Sequence, residues 1–101
     1  MKAETKINRK TLARIFRAVS NEKRIMILQS MRIGINKIND ISLNTALPYK
    51  TVERHLKILV AAGIAQQNRC GMFFHFHLND TPHHNLRHHV DTVLTLIDNA
   101  R

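Results

Sequence analysis

Two runs of this 101-residue sequence concentrate reactive side chains. The first, "YKTVERHLK", carries Lys50, Arg54 and Lys57 at helical spacing. A helix advances about 100° per residue, so these three cations share one face. Such a face suits a polyanion. An arginine fork such as Arg54 matches O6 and N7 of guanine, and a carboxylate such as Glu53 accepts from a cytosine amino group. Thr51 could bond a phosphate or touch a thymine methyl, and Tyr49 and Lys50 are suited to phosphates. Every surface helix has a charged, wet side, so the pattern alone is uninformative. Its meaning depends on the elements around it.

The second run is "TPHHNLRHHVD". His84, His88 and Asp91 recur one and two helical turns apart, and two imidazoles with a carboxylate suit zinc, nickel or cobalt. Leu86, Val90, Val93, Leu94 and Ile97 form the apolar stripe of the same helix, roughly opposite that triad. If a second subunit covers the stripe, the triad faces water and the partner's matching residues cannot complete it. The plainer explanation of the cluster is a polar, partly protonated outer face. Seven histidines titrating near neutrality open a third reading, pH sensing. The pattern requires no cofactor; zinc or another divalent transition metal is the candidate it admits. His75 and His77 share one face of a strand and carry the same ambiguity. Cys70 could act as a redox handle beside Arg69 or be incidental.

The bulk properties narrow the partner. Sixteen Lys and Arg against seven Asp and Glu give a formal net charge of +9. So large an excess on a short chain points to nucleic acid first and an anionic membrane surface second, with solubility as the bland alternative. Hydrophobic residues at 44% support one modest core. A core that small gains from dimerisation. One cysteine precludes an intrachain disulfide, which fits a reducing cytoplasm. "MKAETKINRKTL" lacks the apolar centre of a signal peptide, and no apolar run has membrane-spanning length. The expectation is a cytoplasmic protein with no membrane association.

The elements follow from periodicity. "RKTLARIFRAV" places Leu12, Ile15, Phe16 and Val19 on a helical face. "SNEKRIMILQSM" reads as a second helix capped by Ser20 or Asn21, with Ile25 and Leu28 and also Ile27 and Met31 inward, ended by Gly34. Residues 37–46 suit a short third helix with Ile38, Ile41 and Ala46 as its apolar positions. Pro48 starts a fourth helix, and Gly63 supplies its left-handed stop. There Val52, Leu56 and Leu59 form the core arc, flanked by Tyr49 and His55. "IAQQNR" and "FFHFHL" flank "NRCGM" as a hairpin, with Phe74, Phe76 and Leu78 inward and the histidines outward. Thr81 and Pro82 open a last helix.

The expected fold is mainly α with a small β-hairpin wing, in the order α-α-α-α-β-β-α. Residues 1–101 form one winged-helix domain, with a helix-turn-helix at 37–62, the wing at 64–78 and the last helix at 82–99. In that setting the basic face of the fourth helix is a major-groove reader.

"AVSNEKRIMIL" and "TALPYKTVERHLKILVAAGIAQQNRCGMFFHFHLND" resemble, respectively, the second helix and the recognition helix, glycine stop and wing of ArsR-like winged-helix regulators. The resemblance covers roughly residues 12–80. It implies a homodimer built on the first and last helices, through Leu12, Ile15, Phe16, Val19, Leu86, Val90, Val93, Leu94 and Ile97. It also implies operator binding through residues 48–58, a wing contact near Asn68–Phe73 that includes Arg69, and release by a ligand, often a metal on the last helix. "INDISL" departs from the cysteine-type metal sensors of the family, since it lacks their Cys-x-Cys pair. At the wing tip Arg69 is followed by Met72 and Phe73, so a weaker phosphate grip is expected there.

These readings converge on a dimeric, sequence-specific double-stranded DNA-binding regulator, a repressor reading a palindromic operator with helix 48–62. The alternatives are a metal- or pH-responsive sensor using the histidine-rich helix, or a winged-helix module docking on protein through Met72, Phe73 and Val60. No nucleophile turn or glycine-rich phosphate loop is present, so an enzyme is not expected.

Overall fold

The computed structural model describes residues 8–79 and 95–100. Helix α1 spans Arg9–Val19, α2 Glu22–Arg32, α3 Ile38–Thr45 and α4 Tyr49–Ala61; strands β1 Ala65–Cys70 and β2 Phe73–Leu78 follow. Residues 95–98 are helical. The expected histidine triad, and Leu86, Val90, Val93 and Leu94, lie outside the described residues.

Local sequence chemistry sets the boundaries. Asn8 accepts from the Thr11 amide at 2.8 Å and Asn21 from the Arg24 amide at 3.1 Å, so asparagine caps both α1 and α2. Helices α2 and α4 stop in the same way. Gly34 N–H donates to Met31 O and Ile35 N–H to Ser30 O; Gly63 N–H donates to Val60 O and Ile64 N–H to Leu59 O. Both are Schellman closures. Each needs a left-handed residue just past the helix, and Gly34 and Gly63 supply it with φ of 95° and 78°.

The turn between α3 and α4 differs from expectation. Ala46, expected as an apolar inward position, is exposed and takes the left-handed cap with φ 59°. Thr45 is buried in its stead. Its hydroxyl donates to Ile41 O at 2.7 Å and accepts from the Leu47 amide at 3.3 Å, which satisfies the polar group inside. Pro48 precedes the first helical residue of α4 rather than being it.

The helices and hairpin share one core. Ile27, Leu28, Ile41, Val52, Leu56 and Leu59 are wholly buried, joined by Ile15, Ala18, Met31, Ile64, Ala65, Phe76 and Ile97. Ser30 ties α2 to α3, accepting from Asn44 Nδ2 at 2.6 Å. The hairpin is antiparallel, with Ala65 opposite Leu78 and Cys70 opposite Phe73. Gly71 has φ 65° while Met72 does not turn positive, the pattern of a II′-type two-residue turn. Phe76 N–H donates to Asn36 O at 2.8 Å, which ties the wing to the loop before α3. Only Phe76 of the three expected inward residues is fully buried; Leu78 is half-buried and Phe74 exposed. The alternation therefore yields a core face only near the hairpin base, because the tip extends past the helices.

The last helical residues dock on α2. Gln29 Nε2 donates to the carbonyls of Ile97 and Ala100 at 2.9 and 3.3 Å, and Arg32 binds the Asp98 carboxylate at 2.7 Å. Among the described residues no helix is long and apolar enough to cross a membrane.

Candidate nucleic-acid interface

Helix α4 divides sharply. Val52, Leu56 and Leu59 are 0% exposed and anchor it, while Lys50, Arg54 and Lys57 stand in solvent. Tyr49 is exposed, and Thr51 and Glu53 are half-buried. Lys50 Nζ lies 4.0 Å from a Glu53 oxygen. So exposed and long an ion pair contributes little, so Lys50 keeps its freedom to meet a phosphate. Arg54 and Lys57 have no carboxylate within ion-pairing distance among the described residues.

His55 departs from its expected flanking place, for it is buried at 6% exposure. Arg24 explains this. It reaches from α2, donating Nε–H to Ala18 O at 2.8 Å and lying 3.3 Å from His55 Nδ1 through Nη1. Burial first, then the charges of Arg24, Arg54 and Lys23, hold the imidazole pKa below its ordinary value. The lowered pKa favours the neutral ring, which sits next to Arg54 in the sequence of α4.

The wing brings Arg69 to the same molecule in a braced form. Its Nε–H donates to Gly71 O at 3.1 Å, and its guanidinium lies 5.9 Å from the Phe74 ring centroid. Met72 and Phe73 are 89% and 64% exposed. Lys37 Nζ sits 5.5 Å from the Phe73 centroid. An open cleft lined by Lys37, Asn39, Tyr49, Met72 and Phe73 joins the starts of α3 and α4 to the wing tip. Lys37 was missed by sequence reasoning. The available signal was its position at the start of the first helix of the pair, where a free N-terminus and a cation both favour phosphate.

Other expected residues are placed differently. Of the expected dimer contacts, Ile15 and Ile97 pack into this chain's own core, Leu12 and Val19 are half-buried, and Phe16 is 51% exposed. Val60, expected among the exposed apolar residues, packs against the core. Cys70 is a free, exposed thiol. No group of three or more potential metal-ligating side chains occurs among the described residues. His75 and His77 stand 6.3 Å apart between ring centroids.

Comparison with known proteins follows the same outline. Residues 21–67 match the family described as "Bacterial regulatory protein, arsR family". No curated protein matches the chain. Among solved structures the chain is similar to a homodimeric winged helix-turn-helix DNA-binding domain from Mycobacterium bovis, a possible ArsR-family transcriptional regulator. The TM-score is 0.72 at 20% identity, covering 97% of this chain and 91% of that one. At that identity the likeness is one of fold. Residues 21–67 of this chain thus match the bacterial arsR family of regulatory proteins, within a fold like that of a winged helix-turn-helix domain.

Proposed function

We propose that this protein is a transcriptional regulator that binds double-stranded DNA in a sequence-specific manner as a homodimer. The carrying observation is the row Lys50, Arg54 and Lys57, solvent-facing on the second helix of an ArsR-family helix-turn-helix whose opposite side is wholly buried. Arg54 reads a base edge in the major groove; Thr51 and Glu53 lie beside it; Tyr49, Lys50, Lys57, Arg69 and Lys37 hold phosphates. Homodimerisation is argued from the Mycobacterium bovis domain, from the basic, small chain and from exposed Phe16. Two copies related by a two-fold axis place two reading helices about one DNA turn apart, so the operator is an imperfect palindrome. Occupying it would exclude polymerase, which makes repression the expected sign.

Selection of bound sequences from random duplex DNA, with and without zinc, tests this reading. Enrichment of paired half-sites is the expected result, and an unenriched pool would overturn it. A zinc-dependent change would assign the histidine-rich segment, with His84, His88 and Asp91, to sensing. Met72 and Phe73 favour one rival, a winged helix docking on protein. A partner not displaced by duplex DNA would support that rival.

A further inference from the structure

A second feature lies towards the C-terminal end of α4, beyond the row of Lys50, Arg54 and Lys57. Between α1 and the C-terminal half of α4 runs a groove lined by Arg14, Arg17, Ala18, Arg24, Ile58, Ala61 and Ala62. Its composition is unusual for a surface crease. Among the described residues it is lined by three arginines and four apolar side chains, with no carboxylate. Arg14 and Arg17 stand one helical turn apart in solvent, and neither forms an ion pair among the described residues. Arg24 is half-buried and held in place by Ala18 O and His55 Nδ1. Those bonds use two of its five N–H groups and leave three. Ile58 is 38% exposed, whereas Val52, Leu56 and Leu59 of the same helix are wholly buried. The groove is also separate from the expected dimer face: Leu12, Phe16 and Val19 lie on one flank of the buried Ile15 and Ala18, and Arg14 and Arg17 on the other.

We propose that this groove is a ligand site for an amphipathic organic anion, a carboxylate carrying a hydrocarbon tail. The carboxylate is held by Arg14, Arg17 and Arg24, and the tail lies on Ile58, Ala61 and Ala62. Fork-shaped guanidiniums match a carboxylate in geometry and charge, and each charge-assisted bond is about twice as strong as a neutral one. The apolar floor distinguishes the ligand from a bare phosphate, because burying the tail removes hydrocarbon from water. Occupancy would reach α4 directly. The ligand touches α4 through Ile58 and Ala61, and it shares the Arg24 guanidinium that also supports His55, the residue next to Arg54. The site would give the protein an effector input on the helix proposed to read DNA, without a metal. It does not depend on that DNA reading, because ligand binding is measured on the protein alone.

Titration of the full chain with decanoate, kept below its micelle-forming concentration and followed by amide and histidine ring resonances, tests the proposal. The expected result is saturable binding with shifts centred on α1, the second half of α4 and the His55 ring. Arg14→Ala with Arg17→Ala should weaken it about tenfold or more. Both side chains are exposed, so the fold should survive, and a circular dichroism melt checks that. Ile58→Asp should abolish tail binding while keeping all three arginines. Equal binding of decanol would remove the anion requirement and overturn the proposal. Equal binding of inorganic phosphate would make the arginines a phosphate grip and overturn it likewise. Shifts located elsewhere, or unchanged affinity in the arginine variant, would also refute it.

Discussion

Arg24 holds its Nη1 3.3 Å from Nδ1 of His55, across a sequence separation of 31 residues. A guanidinium only donates, so Nδ1 is the accepting nitrogen and the ring proton sits on Nε2. The contact thus favours the neutral imidazole over the charged one, in line with its lowered pKa. This contact joins α2 to α4 immediately behind Arg54.

The neutral ring predicts a pH dependence. With the His55 pKa depressed, the folded chain binds this proton more weakly than the unfolded chain does. The stability contributed by the neutral ring is present above the ordinary value of 6.5 and is lost as pH falls below it towards the lower folded value. Thermal melts of the natural chain and His55→Gln between about pH 8 and pH 5 should show a flatter dependence in the variant. The glutamine carbonyl can still accept from Arg24. Parallel profiles would show that His55 does not titrate in this window.

Arg54→Ala should separate base reading from charge. Binding to a selected operator should fall by about 1–3 kcal/mol, while binding to random duplex falls far less. Fluorescence anisotropy on both duplexes measures the two losses. An equal loss would reduce Arg54 to a phosphate contact.

Affinity for duplex DNA should fall steeply with salt. If roughly six to nine phosphates are neutralised, the log–log slope is about −5 to −8. Lys57→Ala should make it shallower by about one unit while leaving sequence preference intact. A flat dependence would exclude phosphate-led binding.

Phe16→Glu should yield monomers in sedimentation experiments and weaken operator binding. Phe16 is exposed in the single chain, so the fold has little reason to suffer, whereas a charge in a covered apolar interface is costly. A variant that remains dimeric would move the interface away from α1.

Asn21→Ala should destabilise the chain by about 1 kcal/mol, seen as a lowered melting temperature. Its side chain is the cap of α2, which carries Arg24 and much of the core. Asn21→Ser should restore most of the loss, because serine also accepts from the first turn.

Much of the fold was readable in one dimension, because its signals are local. Gly34 and Gly63 announced two helix ends, since left-handed closure is cheap only for glycine. Val52, Leu56 and Leu59 announced the buried side of α4 through helical period alone, and the cationic row followed as its complement. The turn before Pro48 was located but Ala46 was expected inward, whereas Thr45 takes the interior place by hydrogen-bonding its own helix. Residues such as Ile15 could be identified as apolar, but not as covered by this chain or by a second one. That choice depends on which helices cross, and Ile15 and Ile97 meet the core only once α1 and the last helical residues have docked.

The sequence by itself determined the element order, the helix stops and the charged face of α4, because these depend on neighbours a few bonds or one turn away. Only the tertiary structure decided that His55 is buried against Arg24, that Lys37 stands over Phe73, and that Arg14, Arg17 and Arg24 line one groove with Ile58. Those relationships join different helices and the hairpin, and their distances exist only after the shared core has fixed how the elements pack.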